Sequence, residues 1–438
     1  MKRLFLLVVC VVNVACAQDS AAKYREYMDA AAKVDKFSGT VLVARRGQVV
    51  VEQAYGLADR KTNTPNADDT MYRIGSMSKP ITATAVMALR DAGKLKLDDS
   101  VCAYVAPCPE VWKAVTLTHL LTHTSGIPDV VKFPDYMEFR VKEQTPQQMV
   151  ELIASRPVEF APGAKFVYCN SNFILLGVVI EKASGMPYEK YLAKAVLAPA
   201  GMKHTGYEAK VSGTMAHGYV RDGDGYRDPD PSAMSVRFSA GGLYSNVGDL
   251  ILFLRGLAAG KILKSSTVTE MWTNRGNGYA YGWMPDDEKG KKSIGHNGRI
   301  DGFASAFRLY PDEDLFIAVL SNVNGTNTDR MTASLAAIAH GEPFKMPRER
   351  TFITVPGATL AQYDGKYKLP WGLVLVVTHE GDQLFGRAEQ EKKPTEWKAE
   401  SATKFYVPPA DIEIEFEKDA SGKMVINFDG AAKAERQE

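Results

Sequence analysis

Apolar and polar positions alternate in three textures along the chain. Between Val41 and Val50, two β-branched runs flank Gly47, which predicts a β-hairpin. Apolar residues then recur at helical spacing. Ile81, Ala85, Met87 and Leu89 predict a helix over residues 79–92 that stops at Gly93. Similar patterns predict helices over 172–183, ending near Gly185, and over 249–257, ending at Gly260. Strand-like runs follow at 292–295, 303–310 and 315–321. The last two are joined by the turn Pro311-Asp312-Glu313-Asp314 and form a predicted antiparallel hairpin. Strands at both ends of a helical middle predict one α/β (α+β) domain over residues 22–340, its sheet built from both terminal parts. Residues 341–351, charged and Pro-containing, read as a linker. After Phe352 the runs 374–377, 383–385, 404–407, 412–416 and 424–428 are short and punctuated by turns. They predict a small all-β unit over 352–438, a barrel or curled sheet.

The start of the chain has a different logic. Lys2 and Arg3 precede an apolar stretch at 4–12, and Ala15-Cys16-Ala17 has the form of a small-x-small cleavage site. The expectation is a signal peptide over 1–17 and an exported protein, periplasmic or secreted. The alternative is a lipoprotein acylated on Cys16, but Asn13 stands where an aliphatic residue is favoured. The apolar stretch is too short for a transmembrane helix, and no other long apolar run follows. Of the five cysteines, Cys102, Cys108 and Cys169 would remain after cleavage. Cys102 and Cys108 flank a short Pro-containing loop. In an oxidising compartment they are expected to pair, for a gain of about 2 kcal/mol, with two free thiols as the alternative.

Composition narrows the function. With 438 residues, 45% hydrophobic and 24% charged, the chain is long enough for two or three packed domains. A net charge of +1 gives no electrostatic reason to bind nucleic acid or an acidic membrane surface.

Three clusters carry candidate chemistry. In Arg73-Ile74-Gly75-Ser76-Met77-Ser78-Lys79-Pro80, Ser76 opens the predicted helix and Lys79 lies three residues on, on the same face. A serine needs a base to accept its proton, and a lysine serves only when burial or neighbouring charge lowers its pKa. The competing reading makes Ser76 or Ser78 a plain helix cap with a surface lysine nearby. The spacing by itself recurs at Ser20/Lys23 and Ser401/Lys404, neither of which opens a strong helix. The second cluster is Tyr168-Cys169-Asn170, where Tyr168 and Asn170 can face one site and a phenol beside an ammonium would have a lowered pKa. Cys169 is read as packing. Tyr244-Ser245-Asn246 repeats the spacing but reads as a strand-to-helix corner with a cap. The third cluster is His296-Asn297-Gly298-Arg299, after a strand. His296 could meet a substrate carboxylate, and Gly298 would let a substrate backbone approach. The competing reading there is a surface histidine in a turn.

Metal chemistry is not expected. His119 and His123 are four apart but lack a third ligand and the Glu of a zinc-protease motif, so they read as packed side chains. Asp222-Gly223-Asp224-Gly225 lacks the downstream Glu of a calcium loop and reads as a surface turn.

Taken together, Ser76-x-x-Lys79, Tyr168-x-Asn170 and His296-x-Gly298 resemble the motif set of the serine β-lactamase and penicillin-binding-protein superfamily, most closely its class C β-lactamase-like branch. Residues 93–99, 117–126 and 239–243 and Gly302-Phe303 also look like that branch. The C-terminal part looks like the lipocalin-like accessory domain that follows some of these hydrolases. The resemblance implies a transpeptidase-like antiparallel sheet flanked by helices and an acyl-enzyme on Ser76. It implies that Lys79 and Tyr168 share the acid–base work and that Asn170 positions the substrate amide. His296 would take the third-motif place, and the N–H groups of Ser76 and Arg299 would form the oxyanion hole, with no cofactor. His296-Asn297-Gly298 departs from the usual Lys-Thr-Gly, so a full positive charge is missing there; Arg299 is a candidate to restore it. The expected substrates are therefore small D-amino-acid peptides or esters. A β-lactamase is the second choice, and a silent peptide- or cell-wall-binding protein is the alternative outside catalysis.

Overall fold

The computed structural model describes residues 21–437 except 208–212, 223–224, 289, 371, 390, 392, 409–411 and 429–431. The expected signal peptide, Cys10, Cys16, Ser20 and the Gly223-Asp224 pair lie outside the described residues. The chain divides into two compact units, with the boundary between Pro347 and Arg348.

The first unit begins with helix α1, residues 21–34. Strands β1 (Gly39–Arg45) and β2 (Gln48–Tyr55) are the expected hairpin. Helix α2 (Ser78–Asp91) ends before Gly93, which takes the left-handed conformation (φ 68°) that a helix stop of this kind uses. Helix α3 (Asn170–Ser184) is closed in the same way by Gly185. Helices α4 (Met234–Gly241) and α5 (Val247–Ala258) follow, α4 broken at Phe238 by a positive φ of 38°. Then come strands β3 (Met284–Glu288), β4 (Lys291–Ile300), β5 (Phe303–Tyr310) and β6 (Leu315–Ser321), and helix α6 (Thr328–His340).

The six strands form one sheet in the order β3-β4-β5-β6-β1-β2, every neighbouring pair antiparallel. The central pair shows why their sequences read as unbroken apolar runs. Val41, Val43, Ile317 and Val319 pack on one face with Tyr27, Met28 and Leu335 of α1 and α6. Leu42, Ala44, Phe316, Ala318 and Leu320 face the larger core that holds α2, α3 and α5. Side chains alternate along a strand, so a strand covered on both sides must be apolar at every position. Helix α2 is enclosed likewise, buried at eleven of its fourteen residues, Lys79 among them.

The second unit is a closed barrel of eight antiparallel strands: β7 (Gly365–Lys368), β8 (Val374–Glu380), β9 (Gln383–Ala388), β10 (Thr395–Ala399), β11 (Lys404–Val407), β12 (Ile412–Lys418), β13 (Met424–Phe428) and β14 (Ala432–Arg436). Pairing of Tyr367 and Lys368 with Arg436 and Glu435 closes it, which leaves no free sheet edge. Its interior is filled by Tyr363, Tyr367, Trp397, Phe405, Phe416 and Ile426, with the Tyr363 and Phe416 rings stacked 4.0 Å apart. Arg348 and Arg350, read as linker from sequence, are anchored here: both pair with Glu400 and Glu413.

Each unit has its own apolar core, so a chain ending at Pro347 is expected to fold. The check is thermal unfolding followed by circular dichroism. A single cooperative transition is expected from the truncated chain, and an insoluble or non-cooperative product would show that the first unit cannot stand alone.

Candidate active site

The backbone before α2 forms a 3₁₀ turn, Gly75–Met77, that presents Ser76 one helical turn ahead of Lys79. Neither serine of the segment caps the helix. The Ser78 hydroxyl accepts the N–H of Leu243 (3.2 Å), and Ser76 faces Lys79. Lys79 is wholly buried, and its Nζ donates to three acceptors: Ser76 Oγ (2.9 Å), Asn170 Oδ1 (2.9 Å) and the Ala240 carbonyl (2.8 Å). Burial pulls its pKa from the ordinary lysine value down to about 7, with Arg237 pushing the same way and Asp129 opposing. Near neutral pH the amine is therefore free in a large fraction of molecules. In that form two N–H bonds still satisfy Asn170 and Ala240, and the lone pair takes the Ser76 proton.

Tyr168 stands beside this pair. Its hydroxyl is hydrogen-bonded to Ser76, and Lys79 Nζ lies 4.9 Å from its ring centroid. The expected lowering of its pKa is overturned. Tyr168 is partly buried against its aromatic neighbours, and desolvation raises the phenol's pKa despite the Ser76 bond. Its ring packs 4.3 Å from that of His123, within an aromatic group that includes Phe166, Phe173 and Tyr279. Asn170 is the first residue of α3. Its amide oxygen serves Lys79, while its backbone N–H (3.0 Å) and Nδ2 (3.3 Å) donate to Asp129.

Asp129 and His123 were missed as site residues in the sequence. Both lie on the loop that follows the helix Leu117–Leu121, and both hold the start of α3: His123 Nδ1 accepts the N–H of Cys169 (3.1 Å). The signal was the family-like stretch 117–126, which contains His123, read there as a packed side chain, and which lies just before Asp129. Cys169 is buried, its thiol pushed up to about 12 by desolvation, and it acts as packing. His119 is tied into a capping box with Thr116, and among the described residues no group of three metal-capable side chains is assembled. Asn246 caps α5 through the N–H of Asp249 (2.8 Å), as the corner reading of Tyr244-Ser245-Asn246 expects. Ser401 caps a turn at Lys404 (2.9 Å) inside the barrel unit. Cys102 and Cys108 form a disulfide.

The third cluster differs most from its sequence reading. β4 does not end before His296 but runs on to Ile300, so His296, Asn297 and Gly298 are mid-strand. His296 is buried at 3% exposure. Its Nε2 accepts from the Tyr279 hydroxyl (3.0 Å), and its Nδ1 is 2.6 Å from the Asn297 carbonyl. Burial, aided by the nearby Lys79, lowers its pKa to about 3, so the ring is neutral. A neutral imidazole with both nitrogens engaged cannot pair with a substrate carboxylate. Gly298 is also not an opening for substrate. A Cβ there would lie 2.0 Å from the Ile74 carbonyl oxygen and 2.6 Å from Ser305 Oγ. Across the same contact, Gly75 adopts φ 51°, and its own Cβ would lie 3.0 Å from Arg299 N. The two glycines let β4 and the nucleophile turn touch backbone to backbone. The Arg299 side chain is directed to the Asn324 carbonyl (3.3 Å).

Ser76, Tyr168, Asn170 and Arg299 line one cleft of about 330 Å³, together with Val130, Tyr136, Ile174, Val236, Arg237 and Ile300. His296 and Gly298 are not in its wall. A serine hydroxyl and a phenol in the wall of a cleft, with a buried amine of depressed pKa bonded to the hydroxyl, define a serine hydrolase.

Comparison with known proteins places that chemistry in a family. The family model for Beta-lactamase matches residues 23–342, and the chain belongs to that family. A second family model, a domain of unknown function (DUF3471), matches residues 349–430 of the barrel unit. Penicillin-binding protein 4* of Bacillus subtilis is 28% identical over 434 residues, covering 90% of this chain and 94% of that protein. Esterase EstB of Burkholderia gladioli is 27% identical, covering 70% of this chain and 91% of its own. The crystal structure of a D-stereospecific amidohydrolase from Streptomyces superposes with a TM-score of 0.62 at 26% identity, over 74% of this chain and 99% of that one.

The close approach of β4 to the nucleophile turn gives a direct test. Gly298→Ala is expected to lower thermal stability and to cut kcat by roughly 100-fold or more. A methyl group forced against the Ile74 carbonyl must separate β4 from the nucleophile turn, and if the Arg299 N–H is the oxyanion donor that the resemblance implies, its loss has about that effect. Unchanged turnover in Gly298→Ala would mean that the close approach is not needed for catalysis.

Proposed function

We propose that the protein is an exported serine hydrolase that forms an acyl-enzyme on Ser76 and cleaves small D-amino-acid peptides or esters. The observation that carries this reading is the 2.9 Å contact between Ser76 Oγ and a Lys79 amine whose pKa burial brings to about 7. Neutral Lys79 removes the Ser76 proton as Oγ attacks the carbonyl. The N–H groups of Ser76 and Arg299 receive the oxyanion, brought to one side of the cleft by the contact between Gly75 and β4. Tyr168, kept protonated by burial, donates its proton to the leaving group as Ser76 becomes the ester, and the neighbouring Lys79 ammonium returns a proton to the phenolate. In deacylation a water takes the place of the leaving group and the same groups work in reverse. Asn170, held by Asp129, orients the substrate amide.

Support for the substrate class comes from the relatives: a penicillin-binding protein, an esterase and a D-stereospecific amidohydrolase. The neutral, engaged His296 argues against efficient β-lactam turnover, because it offers no charge to a β-lactam carboxylate. Export is supported by the charged and apolar N-terminus and by the Cys102–Cys108 disulfide, a bond typical of oxidising compartments.

Two measurements test the reading. A fluorescent penicillin is expected to leave a mass adduct on Ser76 that turns over slowly, while a chromogenic short-chain ester is hydrolysed. No adduct and no turnover in folded protein would favour a silent binding protein. The pH profile tests the base. Lys79 works only when neutral, so kcat/KM should be low in acid, rise through a limb near pH 7 and stay level above it. A limb in the carboxylate range instead would point to a carboxylate base such as Asp129.

A further inference from the structure

The cleft has a charged wall that the mechanism above does not use. Arg237, on α4, lines it beside Tyr136. Behind them, Arg140 and Arg237 share a single carboxylate, Asp301: Arg140 Nη2 donates to one oxygen at 2.7 Å and Arg237 Nη2 to the other at a long 3.3 Å. Both guanidinium groups also lie over the Tyr136 ring, at 5.7 and 5.5 Å from its centroid. Tyr136 is 8% exposed, and its hydroxyl has no hydrogen-bond partner among the described residues. The buried Nε atoms of Arg140 and Arg237 have none either.

Two cations against one anion leave local positive charge, and three enclosed donors are unspent. Enclosed donors of this kind are costly unless something accepts from them. The other charges nearby do not neutralise the wall. Asp129 is committed to Asn170, Lys79 is buried on the Ser76 side, and Arg299 adds to the positive sign. The Arg237 side chain keeps 20% of its surface exposed, so it can meet a ligand in the cleft.

Building on the hydrolase reading, we propose that Arg237, with the Tyr136 hydroxyl and with Arg140 behind it, forms an anion subsite that binds a free carboxylate on the acyl part of the substrate. This wall, rather than His296 or the Arg299 side chain, then supplies charge recognition. A guanidinium suits a carboxylate because it offers paired donors in one plane.

The test compares the chromogenic monoester of glutaric acid with the chromogenic valerate, which match in chain length and differ in the terminal carboxylate. The intact enzyme should prefer the glutarate. In Arg237→Gln the ratio of kcat/KM values should fall roughly tenfold or more, chiefly through KM, and Arg237→Lys should recover part of it. Tyr136→Phe, which removes only the hydroxyl, should lower the ratio by a smaller factor. Equal losses on both esters would overturn the subsite and leave Arg237 a packing residue.

Binding is read separately on Ser76→Ala protein, titrated with monomethyl and dimethyl glutarate. The monoanion should bind roughly tenfold tighter, and adding Arg237→Gln should erase the difference. This readout needs no turnover. Loss of hydrolysis with a retained preference for the monoanion would count against the acyl-enzyme alone. Equal binding of the two esters would overturn the subsite even in an active enzyme.

Discussion

An amine held away from water but not left unpaired is the constraint on which the rest of this structure depends. A lysine buried without partners would be a large liability, and one on the surface would stay protonated and useless as a base. Lys79 avoids both through three acceptors drawn from three parts of the chain: a hydroxyl in its own turn, an amide at the start of α3 and a carbonyl in α4. Most of the unit's architecture serves that meeting. Helix α2 is enclosed so that Lys79 is dry. Thr82 bonds the Ser239 carbonyl, which ties α2 to α4, and the Ser239 hydroxyl bonds the Phe173 carbonyl, which ties α4 to α3.

The division of labour between amine and phenol follows from the same enclosure. In water an ammonium beside a phenol would draw its pKa down and make the phenolate the base. Here desolvation works on both groups, and it works in opposite directions. It penalises the charged form of each, so the lysine loses its proton more readily and the tyrosine keeps its own. The result is a free amine and an intact phenol at one oxygen, an acid–base pair already set for acylation.

What was legible in the sequence was what local geometry dictates. Ser76 and Lys79 are three residues apart, so their meeting needs only a turn, and Gly93, Gly185 and Gly260 mark helix ends by conformational preference alone. The barrel was legible as a class but not strand by strand. β7, β10 and β14 alternate inward residues such as Tyr367, Trp397 and Ala434 with lysines and glutamates facing out, and so lack the apolar density of their neighbours. His296 and Gly298 could not be read, because their constraints come from elsewhere: Tyr279 above the imidazole and the Ile74 carbonyl against the glycine. His-Asn-Gly has the composition of a turn, and only the neighbouring strand and the nucleophile turn make it mid-strand. The Asp129–Asn170 bonds were hidden for the same reason, being contacts between distant segments.

A neutral histidine in the third motif also has an electrostatic consequence for the base. His296 and Lys79 are close enough for the amine to depress the imidazole further. A permanent cation at residue 296 would act back on Lys79, lowering its pKa below about 7 and weakening it as a proton acceptor. Arg237, on α4, lowers the Lys79 pKa as well, but its charge is partly balanced by Asp301, which it shares with Arg140. The charge on the cleft wall and the basicity of Lys79 are therefore linked through Arg237, so a change of charge there also retunes the base.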